Sequence, residues 1–117
     1  GIKGVSENIE AISIVDRFLE HARVFIFHHK GEEKIYLSSA DWMVRNLSHR
    51  VETTFPIYDQ KLKEEIKDFI QIQLNDNVKA RILDRDLSNK YKKDGSDLAI
   101  SSQVETYYYI KRKMESQ

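Results

Sequence analysis

An α/β fold, with helices covering a mixed β-sheet of four to five strands, is predicted by three observations on this 117-residue chain. Short runs of β-branched and aromatic residues recur along it. Between them lie longer segments whose apolar residues repeat at helical spacing, and turn-forming residues separate the two kinds. Hydrophobic residues make up 40% and charged residues 32%, a globular balance rather than a disordered one.

Ser6 is placed to cap a first helix over about residues 7–19, with Ile9, Ile12, Val15 and Leu19 as its apolar stripe. Val24-Phe25-Ile26-Phe27 is too short for a helix and suits a buried strand. The polar turn Lys30-Gly31-Glu32-Glu33 leads to a second strand, Ile35 to Ser38, and the two strands read as a hairpin. Asp41 to Ser48 reads as a loop or short helix. Val51 to Phe55 alternates up to Pro56 and predicts a third strand ending there. Asp59 caps a long helix to about Leu74, with Leu62, Ile66, Phe69 and Ile70 on one face. Asn75-Asp76-Asn77 breaks it, and Val78 to Leu83 is the fourth strand. Asn89 to Asp97 is a polar, mobile loop. A last helix spans Leu98 to Met114, with Ile100, Val104, Tyr107, Tyr108 and Ile110 as its core contacts.

Nineteen basic and 19 acidic residues give a formal net charge of +0. That balance argues against a domain held to nucleic acid or membrane by bulk charge, and no nucleic-acid partner is expected. The absence of cysteine excludes disulfides, thiolate metal sites and thiol nucleophiles. No apolar run approaches the roughly 20 residues that span a bilayer, so no transmembrane segment is predicted.

Three ordered blocks carry more specific information. The first is Ser6-Glu7-Asn8-Ile9 followed by Ser13-Ile14-Val15-Asp16-Arg17-Phe18-Leu19-Glu20-His21. The second is Ser38-Ser39-Ala40-Asp41-Trp42-Met43 with Arg45-Asn46-Leu47 and Arg50-Val51-Glu52. The third runs from Val78-Lys79-Ala80-Arg81 to Leu87-Ser88-Asn89. Together they resemble the C-terminal catalytic region of the polyphosphate kinase family, over nearly the whole chain.

The resemblance implies a catalytic core of two related phospholipase-D-like domains. It implies reversible transfer of the terminal phosphate of ATP to polyphosphate, through a phosphohistidine and with Mg²⁺. The phosphorylated histidine is expected in the first domain, upstream. Residues 1–117 are expected to form the second, a fragment of a longer chain that is inactive alone. His21 matches the second domain's active-site histidine. Mg²⁺ is expected to be bound mainly by residues outside this chain, which itself is assigned no metal ligand. The implied partners are ATP or ADP, inorganic polyphosphate, the upstream domains and further copies in a homo-oligomer. The implied location is the cytoplasm, or the periphery of the inner membrane for the full-length enzyme.

The residues themselves bear on this assignment. In His21-Ala22-Arg23, side chains two apart on an extended segment share a face, setting a proton donor beside a fixed positive charge. Phosphoryl transfer needs both, and the planar guanidinium matches phosphate oxygens. The phospholipase-D pattern is His-x-Lys, four residues, then Asp. Here Arg23 replaces the lysine and His28 stands at the aspartate position, which favours a supporting role for His21 over a nucleophilic one. It also disfavours a phosphodiesterase or phospholipase of that superfamily. A non-catalytic module binding polyphosphate or another subunit is the third reading.

Ser38 and Ser39 take the place of the Gly-Ser-x-Asn segment of such folds and are candidates to present hydroxyls to phosphate. A plain strand-to-helix turn capped by Asp41 is the competing reading. Arg45 and Arg50 are candidates to line a polyanion channel, against surface pairing with Asp41 or Glu52. Trp42 reads as a packing residue, and His28, His29 and Lys30 as solvated.

Overall fold

The computed structural model describes residues 1–93 and 95–116; Asp94, in the predicted 89–97 loop, and Gln117 lie outside the described residues. Among the described residues, five strands and three helices occur in the order β1 (Ile12–Ile14), β2 (Val24–His29), β3 (Glu32–Ser38), α1 (Val44–His49), β4 (Thr54–Ile57), α2 (Gln60–Leu74), β5 (Ala80–Ile82) and α3 (Ser102–Glu115). The α/β class holds. The strands are divided between two small antiparallel sheets, however, rather than gathered into one mixed sheet. The chain forms two compact units, Glu20–Lys67 and Gly1–Leu19 with the chain from Asp68 onward.

In the Glu20–Lys67 unit the sheet order is β2-β3-β4. The β2–β3 hairpin is tighter than the predicted four-residue turn, because Lys30 and Gly31 alone make the reversal, with φ of 49° and 91°. Positive φ at both central residues suits the right-handed twist of the flanking strands. Ile35, 1% exposed, pairs with Ile26 on one side and Ile57 on the other, at the centre of this sheet. β4 starts at Thr54 rather than Val51 and carries Pro56 inside it, opposite Tyr36. The proline is tolerated because β4 is an edge strand, where a missing N–H breaks no ladder bond. Asp59 caps α2 as predicted, its Oδ1 accepting the Leu62 N–H at 3.0 Å. On α2, Ile66 and Phe69 are half-buried, Leu62 is half exposed and no residue is fully buried.

In the other unit, the predicted helix over 7–19 does not form. Residues 3–8 make turns and Ile12–Ile14 is strand β1, paired with β5 from Ile12↔Ile82 to Ile14↔Ala80. Ser6 caps no helix; its Oγ accepts the Ile2 N–H at 2.8 Å. The β-branched residues Ile12 and Ile14 lose rotamer freedom in a helix, and strand pairing supplies the backbone partners instead. The fourth strand narrows from 78–83 to Ala80–Ile82.

Asp76, fully buried, organises the turn between α2, β5 and α3. Its Oδ1 accepts the N–H groups of Val78, Lys79 and Ala80 at 3.0, 2.6 and 2.9 Å. Its Oδ2 accepts the Ser102 N–H at 2.7 Å, at the first turn of α3. α3 therefore starts at Ser102 rather than Leu98, the preceding residues being held by Asn77, whose side chain bonds the Leu98 carbonyl and the Ile100 N–H. Of its predicted core contacts, Ile100 is half-buried, whereas Val104, Tyr107, Tyr108 and Ile110 are each about half exposed. The correction has a simple cause. The fully buried apolar residues described are only Ile35, Ala40 and Ala80, too few to cover a complete helix face. Among the described residues, no helix is long and apolar enough to cross a membrane.

Candidate active site

All six predicted site residues fall in the Glu20–Lys67 unit. His21 and Arg23 lie on the extended segment entering β2, and the Arg23 carbonyl accepts the Ser38 N–H at 2.9 Å. That bond sets the entry to β2 beside the exit from β3, so Arg23 faces the loop Ser39-Ala40-Asp41. The Arg23 Nε donates to Asp41 Oδ1 at 2.6 Å, and its Nη1 donates to the His21 carbonyl at 3.2 Å. The guanidinium is thus clamped at two points, while the His21 side chain is exposed.

Charge collects around the two carboxylates of this cluster. The hydrogen bond from Arg23 holds the Asp41 carboxyl below the usual aspartate range, and the nearby charges of His21 and Arg45 act in the same direction. The Arg23 guanidinium is raised in turn, first by its bond to Asp41. Glu52 is also lowered, by the Ser39 hydroxyl first and the Asn46 amide second, with Arg50 and Arg23 adding to the effect. His21 and Arg45 thus act on Asp41 through their field alongside the bonded Arg23, and Arg50 acts on Glu52 in the same way. Both Arg45, on α1, and Arg50, just after it, are exposed.

The two serines are engaged within the protein. The Ser39 hydroxyl donates to Glu52 Oε2 and accepts the Thr53 N–H at 3.1 Å. Ser38 Oγ shares a hydrogen bond with Thr54 Oγ1 at 2.8 Å and accepts the Ala40 N–H at 3.1 Å. These bonds pin the loop; the hydroxyls serve its shape before they serve any ligand. Trp42 is 80% exposed, with its ring stacked on Phe25 at 6.0 Å between centroids.

Three residues of the cluster were not singled out from the sequence as its organisers. From the sequence, Asp41 is a cap or surface partner, Glu52 a surface partner, and Asn46 has no role. Asn46 is 3% exposed, donates its Nδ2–H to Glu52 at 2.8 Å and leaves its buried Oδ1 without a hydrogen-bond partner. A six-residue helix has too little periodicity to mark such a position as buried. Their presence in the second signature block was the available signal.

Comparison with known proteins gives the fold and the family. The fold is shared with a solved protein, the crystal structure of polyphosphate kinase from Porphyromonas gingivalis, at TM-score 0.90 and 44% identity over 96% of this chain and 17% of that one. Polyphosphate kinase of Vibrio parahaemolyticus is 52% identical over 111 residues, covering 95% of this chain and 16% of the relative. The Escherichia coli polyphosphate kinase is 50% identical over 110 residues, covering 94% of this chain and 16% of the relative. The chain belongs to the polyphosphate kinase family. Within it, residues 1–103 match the family model described as polyphosphate kinase C-terminal domain 2. The chain spans about a sixth of the length of these relatives, as their covered shares of 16% and 17% show.

Proposed function

We infer that this chain is the second catalytic domain of an ATP:polyphosphate phosphotransferase, and that His21 and Arg23 act on the phosphoryl group in transit. One observation carries the reading. The Arg23 clamp and the exposed His21 side chain lie together on a segment matching polyphosphate kinases of about 50% identity. In the proposed reaction the terminal phosphoryl group leaves ATP for a histidine of an upstream domain. It then passes to the end of a polyphosphate chain, and each step is reversible. Arg23 stabilises charge on the non-bridging oxygens. His21 gives or takes a proton at the leaving or attacking oxygen. Arg45 and Arg50 attract the polyanion, and the pinned Ser38–Ser39 loop contributes shape. ATP, ADP and polyphosphate are the proposed ligands, and the homo-oligomer, the upstream domains and the cytoplasmic or peripheral location remain part of this reading.

The Mg²⁺ implied by the family would neutralise phosphate charge when bound. Among the described residues no group of three His, Asp or Glu side chains is arranged to hold a metal ion. Asp41 and Glu52, the carboxylates nearest the cluster, already accept from Arg23, Ser39 and Asn46. Among the described residues these carboxylates do not fit a magnesium site.

The test is His21→Ala and His21→Gln in the full-length protein, with folding checked by thermal melting. A lost proton donor lowers kcat by about 10²–10⁴ in both variants. Glutamine keeps a hydrogen-bond donor but cannot titrate, so rescue by glutamine with an effect confined to KM would make His21 a binding group only. Wild-type kinetics in folded His21→Ala would overturn the assignment. ATP-independent cleavage of a phosphodiester by the full-length protein would favour the phospholipase reading instead.

A further inference from the structure

The geometry points to Asp41 as a positioning residue that fixes the Arg23 guanidinium for a phosphate ligand, although its own negative charge repels that ligand. The inference rests on the preceding reading that Arg23 meets phosphate. An arginine side chain carries several freely rotating bonds, and ordering it on binding costs affinity. Here the ordering is already built in. Asp41 Oδ1 holds Nε at 2.6 Å, the His21 carbonyl holds Nη1 at 3.2 Å, and the Arg23 side chain is 26% exposed. The bonds to these two acceptors use the Nε–H and one N–H of Nη1, leaving both N–H groups of Nη2 and the second of Nη1 for an incoming oxygen.

The anchor is itself anchored. Asp41 follows directly on a loop tied at three successive residues. Ser38 N–H bonds the Arg23 carbonyl, Ser39 N–H bonds the Thr53 carbonyl at 3.0 Å, and Ala40 N–H bonds Ser38 Oγ. Ala40 is buried, and the Ser39 hydroxyl is fastened to Glu52, which Asn46 holds from the other side. A carboxylate on a free surface loop would fix nothing. This one transmits the rigidity of the β3 exit to the guanidinium, and through Nη1 to the backbone of His21.

The sign of the effect separates this role from simple electrostatics. If Asp41 were only a negative charge near a polyanion site, removing it would tighten phosphate binding. If it positions Arg23, removing the acceptor weakens binding in spite of the relieved repulsion. Asp41→Asn is the discriminating variant, because Oδ1 still accepts the Nε–H while the charge is gone.

The experiment measures tripolyphosphate binding by calorimetry, and ATP-dependent polyphosphate synthesis, in the full-length protein and its Asp41→Ala, Asp41→Asn, Arg23→Ala and Arg23→Ala/Asp41→Ala variants. Asp41→Ala is expected to raise the tripolyphosphate Kd about tenfold, the scale of one charge-assisted hydrogen bond. Asp41→Asn should bind as well as wild type or more tightly. In the Arg23→Ala background the further loss of Asp41 should not weaken binding, since the group it positions is gone. Tighter binding by Asp41→Ala, or equal weakening by Asp41→Ala with and without Arg23, overturns the inference. An unchanged Kd in Arg23→Ala removes Arg23 from phosphate contact and overturns it as well. The expected binding pattern without any ATP-dependent synthesis would uphold the positioning role and defeat the proposed reaction. Synthesis with an additive Asp41 effect would do the reverse.

Discussion

The two compact units use buried or half-buried carboxylates in opposite ways. In the unit that includes Asp68 onward, Asp76 directs both oxygens at backbone N–H groups, four in all, and is fully buried. In Glu20–Lys67, Asp41 and Glu52 are partly exposed and direct their oxygens at side chains: Arg23, Ser39 and Asn46. A carboxylate bonded to backbone fixes the path of the chain. One bonded to a guanidinium or hydroxyl fixes the direction of a group that can still meet a ligand. The first arrangement belongs to folding and the second to the proposed site, and the two should respond differently to the same kind of substitution.

The largest stability effect should come from Asp76. Replacing it with alanine leaves two buried and two part-buried N–H groups without this acceptor, each buried one costing about 1–3 kcal/mol, so a total loss of about 3–5 kcal/mol is expected. Urea unfolding gives the total, and hydrogen exchange at Ala80 and Ser102 shows whether the loss is local to this turn. A loss below about 1 kcal/mol would erase the contrast drawn between the two units. The pH dependence follows from the same contacts. Burial, the largest single influence, pushes the Asp76 carboxyl up, but the combined N–H donors from Ser102, Lys79 and Ala80 outweigh it and the net shift is downward. A folded pKa below the unfolded one means the stabilisation is complete above the unfolded value of about 3.9 and disappears as pH falls through the folded value. Asp76→Asn should therefore flatten the acid limb of the stability profile.

A middle-sized effect is expected at Ile35, the large apolar side chain fully buried in the β2-β3-β4 sheet. Ile35→Ala should cost about 2–5 kcal/mol in urea unfolding, through lost transfer energy and a cavity that strand pairing prevents from collapsing. It sharpens the comparison because it should destabilise without altering the tripolyphosphate affinity of the molecules that remain folded. A folded Ile35→Ala protein with a large affinity loss would mean that sheet packing, not the Asp41 and Glu52 bonds, sets the site.

How much of this was legible in the sequence depended on distance along the chain. The β2–β3 hairpin was legible because a polar turn beginning at Lys30 separates two nearby runs of β-branched and aromatic residues, so the information is local, although the turn itself is two residues shorter than predicted. The Asp59 cap of α2 was local too. The segment 7–19 was misread because Ile9, Ile12, Val15 and Leu19 satisfy helical spacing, whereas the partner that makes Ile12–Ile14 a strand is Ala80–Ile82, remote in sequence. The division of the strands between two sheets was hidden for the same reason. At the site, the closeness of His21 and Arg23 was legible from their spacing, whereas the role proposed for them rests on the family resemblance. That Asp41 clamps Arg23, and that Glu52 joins Ser39 to Asn46, depends on strand register and could not be read from one segment alone.

The smallest effect concerns two ion pairs of nearly equal length. Lys67 Nζ meets Glu33 Oε2 at 2.5 Å, with side chains 44% and 39% exposed, and Arg23 meets Asp41 at 2.6 Å, with side chains 26% and 40% exposed. The Lys67 bond holds the Glu33 carboxyl below its ordinary range, as Arg23 does for Asp41. By distance and pKa direction the two look alike, yet solvent-exposed pairs contribute little to stability because water and salt screen them and two long side chains must be ordered. Neither Glu33→Gln nor Asp41→Asn should shift the unfolding midpoint measurably at physiological ionic strength. Their difference should appear only on ligand and in the alanine variants: Asp41→Ala should weaken tripolyphosphate binding, whereas Glu33→Ala should leave it at the wild-type value, because no candidate phosphate ligand bonds Glu33. Arg23, by contrast, has its orientation set by Asp41. A clear midpoint loss in Glu33→Gln that persists at 1 M salt would show that the pair on α2 and β3 is part of the fold, and would break the division between structural and site-directing carboxylates.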